Sequence, residues 1–303
     1  MKQVELLIDI LDFKTLKEII NEEFDAFTIG EGLANFSIQE IIESSKIAKE
    51  NNKKMYLAFN KIPHEKDLIN IEEFLKNIKD INIDGIYVIE PGVLYLVKEY
   101  MKNTKVFLSE QANVINYETA SFWYNEGVRR IVLSKEMSIK DVSQIVLKTS
   151  DDLEFELIAH GSLLISHSGR KLLSNFLKDK SGEAKIDKNV KYNLVEEKRE
   201  GLYFPVYEDE RGTFLFNTED MCMIEFIPEL IESGIDSLKV DTRLKDTKYT
   251  IEAIIAYKKA IKEYYIKKEN WEFDSEWIKN LDDINTRNYT SGFYIKKVIK
   301  TEE

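Results

Sequence analysis

His160 closes an apolar run, Glu154-Phe155-Glu156-Leu157-Ile158-Ala159, and is followed at once by Gly161. An imidazole in that place can polarise a carbonyl or pass a proton. It can equally hydrogen-bond to backbone and hold the loop that follows. Arg170, in Ser168-Gly169-Arg170, can clamp a carboxylate or phosphate with two parallel hydrogen bonds, or serve an internal ion pair. Other apolar runs end on Asn60, Glu90, Glu110, Gln111, Asn113, Lys135, Glu136, Lys239, Asp241 and Arg243. Acids, bases and amides together suit a polar ligand pocket, although strand ends that meet water are polar in any barrel. Glu110, Gln111, Asn113, His160, Arg170, Lys239 and Arg243 are the ligand-binding candidates. Of these, His160, Arg170, Lys239 and Arg243 are the pocket groups expected for an anionic ligand. No residue is assigned a catalytic role.

Several chemistries find no support. Cys222 lies in an apolar stretch with Met221, Met223, Ile224, Phe226 and Ile227, the setting of a buried structural thiol. Neither G-x-S-x-G nor H-E-x-x-H occurs. His64, His160 and His167 do not have the spacing of a three-histidine zinc site, although His160 and His167 can share a helix or loop face. Basic clusters stand at Lys185–Lys191 and Lys258–Lys268. The second alternates with Tyr257, Tyr264 and Tyr265. It reads either as an RNA surface of stacking rings and phosphate-pairing lysines or as a solvated helix face over core tyrosines.

The elements that would position these residues show in the hydrophobic pattern. Short runs at Val4–Ile8, Ala26–Ile29, Met55–Phe59, Gly85–Ile89, Val106–Leu108, Arg130–Leu133, Phe155–Ala159 and Ser237–Val240 read as buried parallel strands. Helical periodicity fills most intervals, with Ile38, Ile41, Ile42, Ile47 and Ala48 on one face and Leu68, Ile71, Phe74, Leu75 and Ile78 on another. Ser37 with Glu40, and Ser138 with Asp141, mark helix starts. Strands alternating with helices predict an α/β fold, a TIM-like (β/α)8 barrel. An open doubly wound sheet is the alternative, weakened because no G-x-G-x-x-G follows the first strand.

The spacing breaks once, between the seventh and eighth strands. That interval holds a lysine-rich stretch, Lys178–Lys198, then Gly201–Pro205 and Gly212–Phe216 around the turn-like Asp209-Glu210-Arg211-Gly212. It reads as an insertion with a hairpin on the barrel's C-terminal face. Helices are expected at about 221–233 and 250–267. The domain reading is a barrel over 1–268 that includes an insertion at 161–220, with a C-terminal extension over 269–303 packed on it.

The chain has 43 Lys and Arg against 55 Asp and Glu, a net charge of −12, so bulk electrostatics repel nucleic acid at long range. RNA contact would need a local basic patch or a partner. A single cysteine excludes an internal disulfide and fits a reducing compartment. The charged N-terminus is unlike a secretory leader, and no apolar run reaches the length of a membrane span. The expected location is cytoplasmic.

The stretch from Glu154 to Leu177, EFELIAHGSLLISHSGRKLLSNFL, resembles the signature of the collagenase-like peptidase U32 family without its cysteines. Pro91-Gly92-Val93-Leu94, Ser109-Glu110-Gln111-Ala112-Asn113, Asn217-Thr218-Glu219-Asp220-Met221-Cys222 and Ser237-Leu238-Lys239-Val240-Asp241-Thr242-Arg243 extend the likeness over nearly the whole chain. The resemblance implies a TIM-like barrel. It also implies a part in prephenate-dependent hydroxylation of the tRNA wobble uridine, as the shorter of two family proteins. The implied partners are a longer cysteine-bearing paralogue, tRNA, and a small anionic ligand such as prephenate, with no membrane. Many members hold a four-iron, four-sulfur cluster on four cysteines. The corresponding positions here are Leu164, Lys171, Ala184 or Lys188, and Cys222. One thiolate cannot hold such a cluster, so a cluster-free subunit without metal or other cofactor is expected. A peptidase of unknown catalytic type and a non-catalytic scaffold partner of the paralogue are the alternative readings.

Overall fold

The apolar runs form strands and the periodic segments between them form helices. In chain order these are β1 (Glu5–Asp9), α1 (Phe13–Ile19), β2 (Ala26–Ile29), α2 (Ile38–Glu50), β3 (Lys54–Phe59), α3 (Glu65–Ile78) and β4 (Gly85–Val88). Then come α4 (Pro91–Tyr100), β5 (Lys105–Leu108), α5 (Tyr117–Asn125), β6 (Val128–Val132), α6 (Ile139–Lys148) and β7 (Glu154–Ser168). After these follow α7 (Leu172–Ser181), β8 (Tyr192–Val195), β9 (Tyr203–Asp209) and β10 (Gly212–Cys222). The last are α8 (Ile227–Glu232), β11 (Ser237–Asp241), α9 (Thr247–Lys267), α10 (Lys279–Ile284) and β12 (Tyr289–Thr290). This is a computed structural model, and it describes residues 3–30, 36–59, 63–181, 186, 190–198, 201–209 and 212–295. The chain divides into two units, Met1–His160 with Cys222–Asn285 and Ser291–Glu303, and Gly161–Met221 with Thr286–Thr290.

In the first unit, β1 to β7 pair in sequence order and β11 pairs with both β1 and β7, which closes a (β/α)8 barrel. The helix starts follow local chemistry. Ser37 and Glu40 form a reciprocal capping box at α2, and the Ser138 hydroxyl accepts from Asp141 N at α6. Residues of one parity on β1, Leu6 and Ile8, are fully buried beside Glu5 and Asp9 of the other parity. Register carries that second parity round the barrel. Asp9 lies beside Thr28 and Asp241, Thr28 beside Tyr56, Tyr87 beside Phe107, Phe107 beside Arg130, and Arg130 beside Glu154. A barrel interior is ordinarily packed with branched apolar side chains. Here it holds rings and charges. Tyr56, Tyr87 and Phe107 meet edge to face at 5.1–6.1 Å. A Cβ at Gly85 would lie 2.3 Å from the Phe107 ring, so glycine at that position gives the ring its room.

In the second unit, β10 is hydrogen-bonded to β7 and β9, and β9 to β8. The expected hairpin is present, with β9 and β10 antiparallel, while its turn residues Glu210 and Arg211 lie outside the described residues. The described part of the lysine-rich stretch gives the last turn of α7, residues 178–181, and β8. A short strand, β12, returns to pair in parallel with β10, Asp220 beside Tyr289.

The helix expected at about 221–233 starts later. Met221 and Cys222 end β10, a 3-10 turn covers Ile224–Phe226, and α8 runs only over Ile227–Glu232. A short apolar run fits either period, and pairing with β12 decided it as strand. The helix expected at 250–267 extends back to Thr247, where the Asp246 side chain accepts from Tyr249 N. No described helix is long and apolar enough to cross a membrane.

Candidate functional site

Charged side chains inside the barrel form a ladder from one end to the other. Near the N-terminal end of the strands Glu5 accepts from Tyr56 Oη at 2.8 Å, Lys54 Nζ at 2.7 Å and Arg130 Nη1 at 2.6 Å. Arg130 also reaches Glu154 Oε2 at 2.7 Å and Glu156 Oε2 at 3.3 Å. Tyr87 Oη donates to Glu156 Oε2 at 2.6 Å. On the other oxygen of Glu156 stands Lys239 Nζ at 2.9 Å, with the Tyr87 ring 4.2 Å away. Burial works against Glu5, yet Arg130 and Lys54 hold its carboxyl below the usual range. Burial would also lower Arg130, but Glu5, the two tyrosines and Glu156 hold it well above its ordinary value.

The top of this ladder is the C-terminal mouth, where a barrel places its ligand. Asp9 Oδ2 lies 3.9 Å from both Lys239 Nζ and Arg243 Nε. These are ion-pair distances, too long for hydrogen bonds. Arg243 is held in turn by Asp241, with Nε 2.8 Å from Oδ1 and Nη2 on the other oxygen. The two acids diverge. Burial pushes the Asp9 carboxyl up, and Lys239 and Arg243 offset this only in part. Burial opposes Asp241 too, but its hydrogen-bonded pair with Arg243 keeps it below the usual range. Asp9 Oδ1 and the neighbouring Thr28 Oγ1 are buried without a hydrogen-bond partner among the described residues. Two cations, two acids of opposite tendency and an unsatisfied acceptor beside a hydroxyl can orient an anionic, hydroxyl-bearing ligand and hold a proton on Asp9.

The sequence-derived candidates fall in several places. Lys239 and Arg243 meet at the mouth around Asp9. Glu110 pairs with Lys135 at 2.7 Å, Gln111 is exposed, and exposed Asn113 takes the left-handed conformation at φ 54 to end the 3-10 turn. His160 is fully buried, with Nε2 2.7 Å from Tyr249 Oη and its ring against Tyr257. Arg170 is exposed in the second unit, where its carbonyl accepts from Thr213 Oγ1 at 2.9 Å. His160 and His167 both lie on β7, a strand and not a helix or loop, and His167 stacks on Phe214. Asn60 lies outside the described residues.

Glu5, Asp9, Thr28, Arg130 and Glu156 were not among the sequence-derived candidates. Their signal was charge or hydroxyl at alternate positions inside apolar strand runs. A second such network sits in the second unit. There buried Asp220 accepts from Ser162 Oγ at 2.8 Å and pairs with Arg287 at 3.0 Å.

On α9, Tyr257 and Tyr264 are buried, Lys258 pairs with Asp25, and Lys262 with Glu23. These are core tyrosines below lysines with acidic partners.

The residues at the cluster positions do not fit an iron–sulfur cluster. Leu164 and Lys171 offer no thiolate, and Ala184 and Lys188 lie outside the described residues. Burial pushes the Cys222 thiol up to about 11, and Tyr257 Oη is 4.0 Å from its sulfur. Among the described residues no group of three or more His, Cys, Asp or Glu could hold a metal ion.

Comparison with known proteins gives a consistent picture. The family described as Peptidase family U32 matches residues 21–303. A Bacillus subtilis protein named tRNA hydroxylation protein P1 is 30% identical over 97% of this chain and 71% of its own length. That organism's tRNA hydroxylation protein P2 is 29% identical over 99% of this chain and 100% of its own. An uncharacterised protease of Methanocaldococcus jannaschii is 34% identical over 100% of this chain and 76% of its own. Among solved structures, one described as a U32 peptidase superposes with a TM-score of 0.49 at 16% identity, over 80% of this chain and 93% of that one.

Proposed function

The chain belongs to peptidase family U32, and from that footing we propose that it is a cluster-free subunit in the prephenate-dependent 5-hydroxylation of the tRNA wobble uridine. The end-to-end match to tRNA hydroxylation protein P2 supports the RNA-modification reading over proteolysis. The observation that carries it is the barrel mouth, where Asp9, Thr28, Lys239, Asp241 and Arg243 converge. Prephenate is a hydroxy-dicarboxylate. Lys239 and Arg243 supply positive charge for its carboxylates, and Asp9 and Thr28 supply an acceptor and a donor for its hydroxyl. The partner on this reading is a longer, cysteine-bearing family member in the cytoplasm, which contributes the redox chemistry that one high-pKa thiol does not.

The test is mass spectrometry of tRNA nucleosides from cells lacking the gene. Loss of 5-hydroxyuridine, restored by the wild-type gene and not by Lys239→Met, is the expected result. Unchanged 5-hydroxyuridine overturns the reading. Peptidase action is the second reading, and the protonated state of the Cys222 thiol removes one nucleophile from it. A third is a scaffold without ligand. Prephenate at millimolar concentration that leaves the melting temperature unmoved would favour it.

A further inference from the structure

In the closed barrel β11 runs between β7 and β1. Lys239 therefore has an acid on the strand to either side, Glu156 on β7 and Asp9 on β1. It sits with Glu156. Its Nζ is 2.9 Å from Glu156 Oε1 and 3.9 Å from Asp9 Oδ2. Two contacts fix the preferred acid in place. Tyr87 Oη donates to its other oxygen at 2.6 Å, and Arg130 Nη1 lies 3.3 Å from that same oxygen. The Tyr87 ring, 4.2 Å from the ammonium, favours the same seat.

Arg243 repeats the pattern. Its Nε is 2.8 Å from Asp241 Oδ1 and its Nη2 meets the other oxygen, while Asp9 Oδ2 is 3.9 Å from Nε. Each cation at the mouth thus has an acid of its own, which keeps it short of a hydrogen bond to Asp9. Asp9 is 1% exposed, and its Oδ1 has no hydrogen-bond partner among the described residues. A buried carboxylate beside two cations would ordinarily close on one of them, because only a well-made pair offsets the cost of burial. Burial raises the Asp9 carboxyl, the two cations offset this in part, and the charges of Asp241 and Glu156 raise it further.

We infer that Glu156 and Asp241 are positioning residues that hold Lys239 and Arg243 off Asp9. The cations then face a ligand's carboxylates and Asp9 its hydroxyl, and the three are not consumed in pairs with one another. Without Glu156, Lys239 closes onto Asp9, and an anionic ligand must break that pair to bind. This rests on the anionic-ligand reading of the mouth and says what keeps that site open.

Asp9→Asn is made in the wild type and in Glu156→Gln, and melting is followed at neutral pH. In the wild type it should raise the melting temperature, because Asp9 has no close cation. In Glu156→Gln it should lower the melting temperature, because Lys239 has become the partner of Asp9. A Glu156 that served the fold alone would lower melting without reversing that sign. Far-UV dichroism establishes that each variant is folded. Where Glu156→Gln does not fold, Asp241→Asn, which releases Arg243, is read in the same way. Calorimetric titration adds prephenate. Its affinity should fall about ten-fold in Glu156→Gln, and less in Glu156→Asp, which keeps the charge. The same sign for Asp9→Asn in every background overturns the inference, and so does undiminished prephenate affinity in Glu156→Gln. If the sign reverses while the wild type binds no prephenate, the positioning stands and the assignment of the ligand falls.

Discussion

Asp9 and Thr28 stand side by side in register on β1 and β2, and each holds a buried oxygen without a hydrogen-bond partner among the described residues. A folded chain that keeps such atoms gives up stability for them.

Asp9→Asn should therefore stabilise the protein at neutral pH by about 0.5–2 kcal/mol while abolishing complementation in the 5-hydroxyuridine assay. The folded carboxyl is raised above its ordinary 3.8, so the native state binds that proton more tightly than the unfolded chain. Wild type should match the variant below pH 3.8 and fall behind as pH rises through the native value. Urea denaturation across that range tests it. A variant less stable at pH 7 than at acid, relative to wild type, would contradict it.

Arg130 is the only cation within reach of Glu5, Glu154 and Glu156 together among the described pairs. Arg130→Ala should lose about 3–5 kcal/mol, since it removes the buried cation that Glu5, Glu154 and Glu156 share and leaves Glu5 to Lys54 and Glu156 to Lys239. Glu5→Gln combined with Arg130→Ala should cost less than the two single changes added together. Chemical denaturation of the cycle gives the coupling directly.

Cys222 should be slow toward thiol reagents. With its thiol pushed up to about 11 against an ordinary 9.0, its thiolate at pH 8 is about a hundred-fold scarcer than that of a free cysteine. Labelling with an aromatic disulfide reagent should be correspondingly slow in the native protein and immediate in denaturant. Rapid native labelling would refute the half-buried, Tyr257-contacting placement.

Glu208 should tie α7 to its sheet only in the ionised form. Its carboxyl is held below the ordinary 4.5; burial opposes this, but hydrogen bonds from Ser174, Thr213 and the helix amides prevail. Its contribution is present above pH 4.5 and lost as pH falls through the native value. Glu208→Ala should release about 1 kcal/mol, the scale of a helix cap, and raise amide exchange in Leu172–Ser181 while the barrel amides stay protected.

The barrel was legible because its strands are short, β-branched and evenly spaced, and because Ser37 and Ser138 mark two helix starts by side-chain chemistry alone. Lys239, Asp241 and Arg243 were legible as polar groups at the end of a run. Asp9, Thr28 and Glu156 were not, because a charge or hydroxyl at alternate positions in a strand looks the same whether it faces water or the inside of a closed barrel. Only closure by β11 turns that parity inward. Cys222 was misplaced for a related reason: a short apolar run has no period of its own, and its partner strand lies some seventy residues later, at Tyr289–Thr290.

The pairing of β1 with β11 sets an order on assembly. Glu5 cannot meet Ser237, nor Leu7 its neighbour Lys239, until the ribosome has passed β11. Until then the first strand offers an open edge, and Asp9 has neither of its cations. The nascent barrel thus waits for the inserted unit to be made, and a chaperone bound to that early edge would protect it until β11 emerges.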